Sequence, residues 1–145
     1  MTTVHHSAIC VRDVDASLRF YRDGLGLETL MDHTFDGDWR TLFDAPSDRL
    51  RSVFLGDPGR PEVGIVELVA FDTPAGGRAP SGRPAPGFFL LSFFVDVDGT
   101  LARIEQLGLA RDARRIEVSG PAGPVPMATL RDPDGVLVEL VGAPA

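Results

Sequence analysis

Two glutamates sit inside identical four-residue strings, VELV at 66–69 and VELV again at 138–141. Alternate residues of a strand share a face, so Glu67 is expected beside Ile65 and Val69, and Glu139 beside Leu137 and Val141. An ionised carboxylate among apolar neighbours costs several kcal/mol unless a cation or a hydrogen-bond donor compensates it. Each glutamate therefore calls for a partner. A solvated edge strand or a nearby arginine would satisfy either one alone, whereas two at symmetric positions favour a shared cavity.

His5 and His6 open the first apolar stretch, and strand alternation would send their side chains to opposite faces. One of them at most should reach a given cavity. An imidazole with two carboxylates is a nitrogen and oxygen donor set suited to Zn²⁺, Ni²⁺, Co²⁺, Mn²⁺ or Fe²⁺. His33 belongs on the rim of such a cavity or on the surface. Trp39, Phe43, Phe54, Phe94 and Met127 lie on or beside predicted strands, where they line a substrate cleft or fill ordinary core. Asp132-Pro133-Asp134-Gly135 has turn chemistry and no catalytic role. The chain holds no Gly-rich phosphate loop, nucleophile elbow or Cys–His pair, so hydride and phosphoryl transfer have no support.

The elements that would hold these residues recur. Val4–Arg12 reads as a strand, followed by a helix whose Leu18, Tyr21 and Leu25 share a face, with Asp15 as its N-cap and Gly24 and Gly26 at its exit. Strands follow at 27–35, 50–55 and 64–71, with a turn at 36–38 and a short helical or irregular piece at 39–43. Residues 72–87 contain four Pro and four Gly and read as an exposed connector. The order then repeats: strand 88–95, helix 99–107, and strands near 115–118, 125–131 and 136–141. AICVRDVDASL at 8–18 matches SFFVDVDGTL at 92–101 when one residue is skipped, LGLE at 25–28 matches LGLA at 107–110, and the VELV strings agree in full. Three matches in one order, with the offset drifting only from 84 to 72, indicate an internal duplication. The expected architecture is α+β: two βαβββ modules, 1–71 and 88–145, forming a curled mixed sheet around an open cleft within a single domain.

Composition bounds the partners. The 145 residues are 43% hydrophobic and 24% charged, enough to bury a core. A net charge of −7 gives no positive field for nucleic acid or anionic lipid. The longest apolar run, 88–95, is far short of the ~20 residues that span a bilayer, and the N-terminus has no targeting pattern. Cys10 is the single cysteine; it can form no internal disulfide and reads as a buried, inert thiol, in keeping with a reducing cytoplasm.

HHSAICVRDVDASLRFYRDGLGLE, followed by GIVELVAF and closed by RDPDGVLVELVG, resembles the vicinal oxygen chelate superfamily. That group takes in glyoxalase I, methylmalonyl-CoA epimerase, extradiol dioxygenases, fosfomycin-resistance enzymes and bleomycin-resistance proteins. The resemblance implies paired βαβββ modules, commonly in a homodimer, with a divalent metal held on the first and last strand of each module. On that pattern His6, Glu67 and Glu139 are metal ligands, and the two glutamates, Glu67 above all, are candidate bases. His33, Trp39, Phe43, Phe54, Leu90, Phe94 and Met127 would bind substrate. Where the family's second module usually opens with a histidine, this chain has Leu90, which argues against ring-cleaving dioxygenase chemistry. The resemblance thus implies a metal-dependent lyase or isomerase acting on a small oxygen-chelating substrate, or alternatively a metal-free protein that sequesters a drug or natural product.

Overall fold

The computed structural model describes residues 2–73 and 84–143, and the chain divides into two compact units, Met1–Gly77 and Arg78–Ala145. Most of the connector expected at 72–87 lies outside the described residues. Each unit is a βαβββ module with its own four-stranded mixed sheet.

The first module runs β1 (His6–Cys10), α1 (Val14–Leu18), β2 (Glu28–Asp36), α2 (Trp39–Phe43), β3 (Arg49–Gly56) and β4 (Ile65–Phe71), with strand order β1-β4-β3-β2. The β1–β4 pair is parallel, and the other two pairs are antiparallel. Ile9, Leu68 and Val53 occupy successive ladder positions and are almost wholly buried. At about 1.5–3 kcal/mol for each such side chain, rows of this kind hold the sheet to its helix. That helix packs on β4.

The helix differs from the expectation at its N-terminus and in its last turns, and it ends at Gly24 as expected. Its N-cap is Asp13, whose carboxylate accepts from the Asp15 and Ala16 backbone N–H groups; Asp15 already lies in the first turn. The alternation of β1 ends at Val11, and an extended Asp13 (φ −137°) can fold its side chain back over the free N–H groups where Asp15 cannot. After Leu18 the helix widens into a π-helical segment, Arg19–Gly24, with Leu25 N–H bonded to the Phe20 carbonyl. The wider turn takes adjacent Phe20 and Tyr21 fully out of solvent, their rings 4.9 Å apart and edge-on. Gly26, at φ +87°, then turns the chain into β2.

The second module runs β5 (Leu91–Phe94), α3 (Val97–Gln106), β6 (Arg111–Gly120), β7 (Gly123–Arg131) and β8 (Leu137–Val141), in the order β5-β8-β7-β6. β5 is parallel to β8, just as β1 is to β4. The duplication shows in detail. Ala8 lies opposite Glu67 and Ser92 opposite Glu139; Val11 N–H bonds the Val69 carbonyl and Val95 N–H the Val141 carbonyl. Asp96 caps α3 as Asp13 caps α1, and Gly108 repeats the positive φ of Gly26. The core of this module is Val97, Ile104, Ala128, Leu130, Val138 and Leu140.

Among the described residues no helix is long and apolar enough to cross a membrane.

Candidate functional site

The ladder places His6, Ala8 and Cys10 of β1, Ile65, Glu67 and Val69 of β4, Ser52 and Phe54 of β3, and Met31 and His33 of β2 on one face of the first sheet. Cys10 on this face is exposed, which overturns the expectation of a buried thiol. The apolar stretch around it buries only its other parity, where Ile9 lies.

Within this face, His6 Nε2 stands 3.4 Å from Glu67 Oε1. Each side chain is held at its far end. The Nδ1 atoms of His5 and His6 share a proton at 2.8 Å, and the Ser52 hydroxyl donates to Glu67 Oε2 at 2.5 Å. Ser52 is 1% exposed, whereas the Glu67 side chain is 16% and that of His6 38% exposed. The Phe54 ring backs both imidazoles, its centroid 5.4 Å from that of His6 and 5.9 Å from that of His5. His5 thus joins its neighbour although alternation would part them, because the strand begins at His6 and His5 precedes it.

A divalent ion is the group that the family resemblance implies, and the pair is chemically suited to one. Two ligands bonded at about 2.1 Å to a tetrahedral ion stand about 3.4 Å apart. A nitrogen lone pair and a carboxylate oxygen facing each other need a proton or a cation between them, and the hydrogen bonds at Nδ1 and Oε2 are of the kind that orient ligands where a metal is bound. Among the described residues no group of three or more His, Cys, Asp and Glu side chains is gathered around one point, so this pair by itself offers two donors.

The other expected residues fall as follows. His33 is exposed, opposite Ser52 on the ladder, and its ring contacts Phe35 at 4.6 Å. Trp39 donates from Nε1 to the Phe35 carbonyl and stacks on Phe43, centroids 5.7 Å apart and planes 9° from parallel. In the second module Glu139 is half-buried, and Ser92 Oγ donates to its Oε1 at 2.8 Å. Phe94 and Met127 both lie opposite Val141, on the Glu139 face, with Phe94 78% exposed. Leu90 immediately precedes β5 and is half-buried. Among the described residues neither glutamate has an arginine or lysine partner.

Ser52 and Ser92 carry no role in the sequence pattern, and His5, expected on the face opposite His6, instead lies against it. Ser52 carries a weak signal as the polar residue between Leu50 and Phe54 at alternate positions of an apolar strand. Its link to Glu67 depends on the β3–β4 register, which the sequence does not show.

The profile of the Glyoxalase/Bleomycin resistance protein/Dioxygenase superfamily matches residues 3–140. The chain belongs to this superfamily. A lactoylglutathione lyase-like protein, terB of Aspergillus terreus, is 36% identical over 97% of this chain and 75% of its own. Among solved structures, a glyoxalase family protein from Bacillus cereus superposes with a TM-score of 0.77 at 18% identity, covering 100% of this chain and 96% of the other. Leishmania major glyoxalase I gives 0.61 at 24% identity, over 98% of this chain and 87% of that one. These structures share the glyoxalase-superfamily fold.

Proposed function

We propose that this member of the glyoxalase superfamily is a lyase- or isomerase-type enzyme that acts on a small organic substrate bearing adjacent oxygens, with a divalent metal held at His6 and Glu67. The observation that carries the reading is the contact between His6 Nε2 and Glu67 Oε1, with both far ends tied. The lyase-like name of the Aspergillus terreus relative supports the reaction class.

A bound divalent ion would supply Lewis-acid polarisation of a substrate carbonyl. The chain's own residues do the rest. Glu67 serves as base only when its Oε1 is not engaged by the ion: that oxygen then takes a proton from the carbon beside the carbonyl and returns it, because Oε2 is engaged by Ser52. His6, fixed through His5, keeps its Nε2 aimed at the same place. Phe54 shields the pair on the ring side and leaves the other side for substrate.

Incubation with a divalent ion and lactoylglutathione or other 2-hydroxyacyl compounds in deuterium oxide tests the proposal. Deuterium is expected at the carbon bearing the hydroxyl with the wild type and not with Glu67→Gln. Tight ligand binding without exchange would favour the second reading, a metal-free binding protein. The stacked Trp39 and Phe43 rings are the observation that speaks for that alternative.

A further inference from the structure

Glu67 is a flexible side chain asked to present one particular oxygen, and the question is what makes that choice. In the first module the choice is made from the neighbouring antiparallel strand. Ser52 lies opposite Val69 on the ladder, one alternate position along from Glu67, and donates diagonally to Oε2. The hydroxyl is all but sealed from water, so no solvent competes for the bond. Oε1 is left as the oxygen that meets His6.

The second module reaches the same end by another route. Glu139 also holds a serine hydroxyl, but from Ser92 on the parallel neighbour, directly opposite it, where the first module has Ala8. The position equivalent to Ser52 is Met127, opposite Val141 as Ser52 is opposite Val69. Two non-equivalent serines thus serve two equivalent glutamates, a pattern that a serine inherited as mere strand packing would not give.

We infer that Ser52 is a positioning residue: its buried hydroxyl fixes the Glu67 carboxylate so that Oε1, and not Oε2, is the ligating atom beside His6. The inference rests on the metal reading proposed above. It goes beyond that reading by naming a residue that touches neither metal nor substrate and yet sets the affinity of the site.

The test uses the full chain, free of affinity tags, titrated with Co²⁺. Its visible absorption reports the ligand geometry, and thermal unfolding of each apo variant is followed alongside. Wild type should bind; Ser52→Ala should bind about ten- to a hundred-fold more weakly with an altered absorption band, the usual cost of losing an outer partner of a ligand. Ser52→Thr, which keeps the hydroxyl, should bind within about threefold of wild type and recover the band. Should Ser52→Ala fail to fold, Ser52→Cys, of similar volume and a weak donor, carries the same comparison. Unchanged affinity and band in the alanine variant, with loss in Glu67→Gln, would overturn the inference and leave the metal site standing. Equal weakening in the alanine and threonine variants would reduce Ser52 to packing and also overturn it. No Co²⁺ binding by wild type would overturn the metal reading and this inference with it.

Discussion

His6 Nε2 stands 3.4 Å from Glu67 Oε1 although the two residues are not ladder partners: His6 is opposite Ile65, and Glu67 is opposite Ala8. The contact is a diagonal one, between alternate positions of two parallel strands. On the β1 side the direct neighbour of Glu67 is only as large as Ala8, which leaves room for the imidazole to lean along the sheet. The same diagonal in the second module, counted from Glu139, leads back to Leu90 by the offset of 84 that relates Ala8 to Ser92. One module therefore pairs its glutamate with an imidazole, and the other keeps only a serine.

Because neither glutamate has a lysine or arginine partner among the described residues, neither is expected to hold the apo fold together. Glu67→Gln and Glu139→Gln each keep an acceptor for their serine. Urea denaturation of the metal-free protein should show changes within about 1 kcal/mol for both. A loss above about 3 kcal/mol in either would mark that carboxylate as structural.

The cap of α1 gives a second, discriminating pair. Asp13 accepts two backbone N–H bonds, at 3.0 and 3.2 Å. Asp13→Ala should destabilise the protein by about 1 kcal/mol, while Asp15→Ala, which removes only a charge from the first turn, should cost under about 0.5 kcal/mol. Reversal of that order in chemical denaturation would return the cap to Asp15.

How far the sequence reached can be seen in these same residues. The two modules, their strand order in the chain and the shared face of Glu67 and its neighbours follow from a period of two and a repeated string, both of which are local. Asp15 is the wrong cap because the sequence shows an aspartate on each side of Val14 and cannot show which backbone is extended. Cys10 was misplaced because hydrophobic company does not tell which parity meets the helix. Ser52 and the diagonal His6–Glu67 contact depend on the registers of β3 and β1 against β4, which arise from pairing across 11 or more residues and leave no local trace.

Acid should weaken the first sheet through Asp32 and Arg51. The Arg51 guanidinium donates to Asp32 at 2.9 and 2.8 Å and by that hydrogen bonding holds the carboxyl below the usual carboxylate range. A carboxyl depressed in the folded state contributes stability that is present above its unfolded pKa of about 3.9 and is lost as pH falls through the folded value. Both partners are about two-fifths exposed, so after screening the contribution is on the order of 0.5 kcal/mol. Asp32→Asn should be less stable than wild type by that amount at pH 7, and the difference should shrink as pH falls past the unfolded pKa of about 3.9 and vanish once it is below the depressed folded value. A difference that persists undiminished at low pH would assign the effect to something other than this ion pair.

The claim on which the functional account turns is that His6 and Glu67 ligate one divalent ion. Calorimetric titration of Zn²⁺ or Ni²⁺ into the untagged wild-type chain and into His6→Ala and Glu67→Gln tests it most directly. The account predicts one ion bound per chain by wild type and affinity at least about tenfold weaker in each variant. Absence of binding by wild type, or affinities that neither substitution changes, would contradict it.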